Sequence, residues 1–180
     1  MSSSVSLMRT GLGVALIALG ATLAVRVDAE TLVGKVVGVS DGDTITVLDS
    51  NQIQHKVRLA GIDAPEKRQP FGRVSREALS SMVFQKSVDI DWKKHDRYGR
   101  LVGKVTVGGL DVCRRQVELG LAWHYVKYAK EQTDADRTTY SAAERAARDS
   151  RRGLWSEPAP VPPWEFRHTA TSSRRAASTE

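Results

Sequence analysis

The chain has a single cysteine, Cys113, so no disulfide can form within one molecule and the fold must hold by its core alone. Cys113 sits in an apolar-periodic segment with no paired histidine or asparagine beside it, which reads as a buried structural thiol rather than a nucleophile. The four histidines, His55, His95, His124 and His168, are scattered without zinc-ligand spacing, so no zinc site is expected and they read as surface or incidental residues. Serine and histidine never approach a nucleophile-elbow pattern, which removes that route to acyl transfer. Apolar runs are scarce too. The one at Gly11 to Val25 is too short to span a bilayer comfortably, and no stop-transfer segment follows it.

The N-terminus reads as an address. Residues up to Thr10 carry Arg9, the apolar run follows, and Val27-Asp28-Ala29 ends it with small residues at the cleavage positions. Cleavage after Ala29 is expected, giving a periplasmic or secreted product with no membrane span. An uncleaved anchor is the competing reading, and Arg26 disfavours it by cutting the apolar run short. Losing residues 1–29 takes two arginines and one aspartate from a net charge of +6, leaving +5. A basic product favours a polyanionic partner, nucleic acid or anionic headgroups. The length suits one domain with a real core plus tails.

Valine-rich alternation predicts strands over Thr31–Val39, Thr44–Leu48 and Gln52–Ile62, joined by tight turns as an antiparallel meander. Helical spacing of Val74, Ala78, Met82, Leu79 and Val83 predicts a helix between Phe71 and Phe84. Strands at Ser87–Trp92 and Leu101–Val107 follow as a hairpin closed by Gly108-Gly109. Asp111 is placed to cap a helix through Glu118 that Gly120 ends, and a further amphipathic helix runs from Ala135 to Arg152. This order predicts a mainly β α+β fold: a five-stranded Greek-key barrel of the OB type with about three helices packed on it, over residues 30–156. Residues 157–180, rich in proline, serine and arginine, read as a mostly disordered tail in which Trp164 and Phe166 are the residues suited to dock back.

Three charged segments punctuate this pattern. Arg58-Leu59-Ala60-Gly61-Ile62-Asp63-Ala64-Pro65-Glu66 packs a guanidinium and two carboxylates at a strand exit, where Pro65 restricts Ala64 and holds Glu66 close to Asp63. Asp41-Gly42-Asp43-Thr44 reads as a hairpin turn with glycine at φ > 0. It is not an EF-hand loop, because the acidic spacing and closing glutamate are missing. Lys94-His95-Asp96-Arg97-Tyr98-Gly99-Arg100 is the third. Each alone is an ordinary solvated turn, and Lys93, Lys94, Arg97, Arg100 and Lys104 form at most a secondary basic track.

Taken in that order, and followed by Gly120-Leu121-Ala122-Trp123, the segments resemble the staphylococcal (micrococcal) nuclease family over roughly Lys35 to Trp155. The resemblance implies an OB barrel and a calcium-dependent phosphodiesterase that cleaves DNA and RNA, single strands favoured, to 3′-phosphate products as a monomer. By position it implies that Asp43, Asp63 and the backbone carbonyl of Ala64 bind Ca²⁺, that Glu66 activates or orients water, and that Arg58 and Arg100 grip the phosphate. Oxygen donors of this mixed kind suit calcium, and planar guanidiniums suit phosphate. Arg97 and Tyr98 match positions that contact a terminal phosphate, and Tyr128 matches one of two base-flanking tyrosines. The other is Val126 here, with Tyr125 adjacent as a substitute. Trp123 reads as barrel packing, and Gln116, where an apolar residue is usual, implies looser packing of its helix. The alternative is a non-catalytic nucleic-acid- or protein-binding module on the same barrel, which retention of the acids and both arginines disfavours. A membrane-surface role rests on charge alone.

Overall fold

The computed structural model describes residues 30–169; the expected signal segment and residues 170–180 lie outside them. Strand β1 (Glu30–Val39) is long enough to serve two neighbours. Its first half pairs antiparallel with β5 (Ser87–His95) and its second half with β2 (Thr44–Asp49). A bulge between Val36 and Gly38 bends it, which is how one strand turns the corner of a barrel. Strand β3 (Gln54–Leu59) pairs with β2, and β6 (Leu101–Val107) pairs antiparallel with β5 and parallel with β3. That last pairing closes a five-stranded barrel in the order β1-β2-β3-β6-β5, the OB topology the sequence pattern predicts.

Alternation fills the barrel. Val36, Ile45, Val47, Val57, Leu59, Val88, Ile90, Leu101 and Val105 all point inward and are essentially inaccessible to water. Helix α1 (Gly72–Val83) caps this core with Ser75, Leu79 and Val83, so its buried face is rotated from the expected one and Val74 is exposed. Helix α2 (Val112–Glu118) adds Val112, Cys113 and Val117. The Asp111 side chain accepts the Arg114 amide at its start, and Gly120 ends it as expected, through bonds from the Gly120 and Leu121 amides to the Val117 and Gln116 carbonyls. Helix α3 (Asp134–Asp149) is capped by Thr133 and packs on α2 through Tyr140, whose hydroxyl donates to Asp111 at 2.9 Å.

Three local expectations need correction. The third strand stops at Leu59 because Gly61 takes φ +73°. Ile62–Asp63 then forms a separate short strand, β4, paired with β8 (Trp123–His124) rather than within the barrel. Gly108-Gly109 does not close the β5–β6 hairpin, which the Asp96–Arg100 turn closes; it leads into β7 (Leu110–Asp111). The proline-rich segment, read from composition as disordered, is ordered as far as the described residues reach. Residues 163–169 form a helix, α4, and Trp164 packs beside Trp123, Trp155 and Leu154 in a second apolar cluster. Proline content predicted disorder, but two aromatics with somewhere to dock override it.

No helix among the described residues is long and apolar enough to cross a membrane. Burial pushes the Cys113 thiol up to about 12, so it stays protonated at neutral pH. Cys113 should therefore be inert to a thiol reagent such as DTNB at pH 8 in the folded protein and react fully in denaturant. Fast labelling of the native protein would contradict its burial.

Candidate active site

At one end of the barrel the β2–β3 register sets Arg58 opposite Thr44, next to Asp43 in the preceding turn. The Arg58 guanidinium donates to Asp43 at 2.8 Å and to Asp63 at 2.9 Å, joining two carboxylates that are 20 positions apart in the chain. Asp63 is wholly buried and Arg58 only 17% exposed. Burial opposes the Arg58 charge, but the attraction of Asp43 and Asp63 outweighs it and its pKa moves upward. Asp63 moves upward as well, chiefly from burial and against the pull of Arg167 and Arg58. Asp41, on the same turn, rises to about 6 from burial and the neighbouring charge of Asp43.

What holds the Asp41–Asp43 turn in place is a buried polar contact that sequence reading missed. Gln116 donates from Nε2 to the Gly42 carbonyl at 2.7 Å and to the Ser75 carbonyl at 3.1 Å. It was expected to loosen α2; instead it ties α2 and α1 to the turn, while its own Oε1 has no partner among the described residues. Gly42 is needed for a different reason from the expected one. Its φ is not positive, but a Cβ there would lie 1.9 Å from Ser75 Oγ and 2.7 Å from the Ala64 Cβ. The Ala64 amide donates to Asp43 at 3.0 Å, locking the corner between the two acids.

Arg100 reaches the same end from the β5–β6 turn. Asp96 grips it at 2.7 Å, and Arg100 Nη1 donates to Thr44 Oγ1 at 3.3 Å, while that hydroxyl donates to Asp43 at 3.0 Å. Arg58 and Arg100 are thus linked through Asp43 and Thr44. Arg97 and Arg100 both lie over the exposed ring of Tyr98, 4.9 and 5.5 Å from its centre. Tyr128 meets Tyr125 edge-on at 5.1 Å with Lys94 over its ring, and Tyr125 stacks on Trp164 at 5.3 Å. Trp123 packs between Trp155 and Trp164 in the second apolar cluster rather than against the barrel core as expected. His124 is buried and bonded to Gln132, not a surface residue, and Lys104 is consumed by Asp111 and Asp136, so the basic track is shorter than its sequence suggests.

Glu66 stands on the turn after Pro65. Its amide donates to Gln69 Oε1 at 3.0 Å, and its carboxylate, 37% exposed, receives Arg167 at 2.8 Å. Arg167 also binds Asp63 at 2.7 Å. All the predicted acids and both arginines therefore meet in one hydrogen-bonded chain: Glu66, Arg167, Asp63, Arg58, Asp43, Thr44, Arg100, Asp96. Arg167 was missed because it lies in a segment read as tail. Asp96 was legible as an aspartate turning the chain four residues before Arg100, but the sequence does not say which side chain it would hold.

No three His, Cys, Asp or Glu side chains among the described residues group as a ready-made metal cage. The donor set nonetheless fits a hard cation: the Asp43 and Asp63 carboxylates, both hard oxygen donors, converge on a single guanidinium. Calcium accepts two carboxylates, a carbonyl and water without needing a third acid.

A closed OB barrel with an acid–arginine network at its mouth, flanked by exposed tyrosines, defines a protein built to handle phosphodiesters. Comparison with known proteins agrees. A profile described as Staphylococcal nuclease homologue matches residues 56–157, and the chain belongs to this family. A protein of Escherichia coli O157:H7 named "Uncharacterized endonuclease" is 43% identical over 136 residues, 75% of this chain and 84% of its own. The "Micrococcal nuclease" of Shigella flexneri is 40% identical over 149 residues, 78% of this chain and 83% of its own. The Escherichia coli "Protein ParB" is 40% identical over 174 residues, covering 89% and 95%. These relatives support nuclease activity in general terms.

Two outcomes follow from the geometry. Arg58→Gln leaves two buried carboxylates facing each other without their bridge and should destabilise the fold by about 3 kcal/mol in urea melts. Gly42→Ala forces the Asp41–Asp43 turn away from Ser75 and should cost about 1–3 kcal/mol. A neutral result in either melt would mean that the contact does not hold the turn.

Proposed function

We propose that the protein is an exported, calcium-dependent nuclease that hydrolyses phosphodiester bonds of DNA and RNA, single strands favoured, and leaves 3′-phosphates. One observation carries the reading. Asp43, Asp63, Arg58, Arg100 and Glu66, drawn from three separate loops, belong to one continuous polar network at the barrel mouth. Export rests on the N-terminal segment alone.

Asp43, Asp63 and the Ala64 carbonyl would hold Ca²⁺, which when bound supplies positive charge to the phosphate oxygens. Glu66 takes a proton from the water that attacks phosphorus. The P–O5′ bond breaks, and O5′ leaves as a hydroxyl after gaining a proton from solvent, to which Glu66 returns the one it took. Arg100, oriented by Asp96, faces the negative charge that builds on the phosphate in the transition state, where a guanidinium stabilises it more than it stabilises the substrate. Arg58 keeps a cationic centre between the two acids, its partners in the structure being the Asp43 and Asp63 carboxylates. Tyr98 with Arg97, and Tyr128 with Tyr125, offer a sequence-tolerant track for bases and terminal phosphate.

The expected result is degradation of single-stranded DNA and RNA in calcium and its loss in chelator. Glu66→Gln and Arg100→Gln should each cost at least about 100-fold in kcat/KM, roughly 2.7 kcal/mol, with the melting transition unchanged. Undiminished cleavage in chelator would remove the cation from the mechanism. Folded, inactive wild type that still binds single strands would favour the binding-module alternative.

A further inference from the structure

The C-terminal segment reaches back across the mouth of the barrel. Trp164 stacks on Tyr125 with the ring planes 22° apart, the Gln69 side chain donates to the Val161 carbonyl, and Phe166 and Val161 line an apolar pocket with Pro65 and Phe71. These attachments fix α4 to the loop that carries Glu66. From α4, Arg167 donates to Asp63 at 2.7 and 3.2 Å and to Glu66 at 2.8 Å. Asp63 is thus held by two guanidiniums of different origin. Arg58 comes from the barrel itself and is deeply placed; Arg167 comes from outside the barrel and its side chain is 43% exposed.

We propose that α4 is an autoinhibitory latch: Arg167 occupies the carboxylates of Asp63 and Glu66 and competes for them with the divalent cation and the attacking water. The inference rests on the cation-dependent reading given above. Arg58 donates to Asp63 Oδ1 and leaves Oδ2 to Arg167, so a cation approaching that second oxygen must compete with the Arg167 guanidinium. The same arginine engages the residue assigned as proton acceptor. An arginine placed to serve the phosphate would leave Glu66 free, whereas this one pairs with it. Trp164 meanwhile covers a face of Tyr125 beside Tyr128, where an unstacked base would lie. One short helix therefore masks the acids and the aromatic platform together. Because Arg167 is partly in water, its contacts are screened and reversible, as a latch requires.

The test is calcium affinity measured by titration calorimetry on the full chain, comparing wild type with Arg167→Gln. Arg145→Gln, on the exposed face of α3, controls for the loss of one positive charge. Hydrogen exchange of the amides of residues 163–169 is followed with and without calcium. If the latch is closed in most molecules, Arg167→Gln should bind calcium about tenfold more tightly while Arg145→Gln changes little, since apparent affinity scales with the open fraction. Calcium should also speed exchange across 163–169 in the wild type. Equal calcium affinity in wild type and Arg167→Gln overturns the latch and leaves the nuclease reading standing. An absence of calcium binding in all three forms overturns both, and is told apart by that pattern.

Discussion

The site depends on one arginine between two acids. Asp43 and Asp63 arrive from different strands, and at close quarters their charges would repel; Arg58 turns that repulsion into a fixed geometry. Removing two carboxylates and a guanidinium from water is costly, and the arrangement is tolerable only because each lone pair that loses water gains a donor. Asp43 alone accepts from Arg58, the Ala64 amide and the Thr44 hydroxyl. The corner is therefore rigid before any ligand arrives, as the cation- and phosphate-holding role proposed for it requires.

Rigidity is also supplied from behind. Gln116 and Ser75 are polar groups placed where hydrophobic packing would have sufficed for stability: Gln116 holds the Gly42 carbonyl of the turn that presents Asp43 and the Ser75 carbonyl of α1, and the Ser75 hydroxyl donates to the Leu121 carbonyl. Asp111 does comparable work on the far side, capping α2 while receiving Tyr140 of α3 and Lys104 of β6. The barrel core is apolar and the helices are tied to it by a few buried polar contacts. Those contacts decide where the helices sit, while the apolar area decides that they stay.

The C-terminal segment contrasts with this frame. Its attachments are the packing of Trp164 in the second apolar cluster and on Tyr125, a carbonyl contact, and an arginine whose side chain is 43% exposed, less enclosed than Arg58 at 17%. Rigid presentation of the acids and weaker attachment of the segment that covers them are physically compatible, since the energy that holds the barrel does not pass through α4. The family profile matches residues 56–157, which include Arg58, Asp63, Glu66 and Arg100, and ends before α4 begins.

The sequence by itself determined the barrel, because period-two alternation of valine and isoleucine is a local property that survives whatever the rest of the chain does. Which acids and arginines to single out came from a family resemblance carried by the order of three segments, since each segment alone is an ordinary turn. Where local signals competed, the sequence fell short: Gly61 broke a strand whose alternation continued past it, and the buried stripe of α1 turned toward Ser75 to meet Gln116. Only the tertiary structure decided that Arg58 would join carboxylates, that Gln116 would hold a loop, and that Arg167 would lie on Asp63 and Glu66. Gln116 lies 74 and 41 residues from its partners and Arg167 104 and 101 from its own; such meetings are chosen by the closure of the barrel and the docking of Trp164, and no local pattern in the chain encodes them.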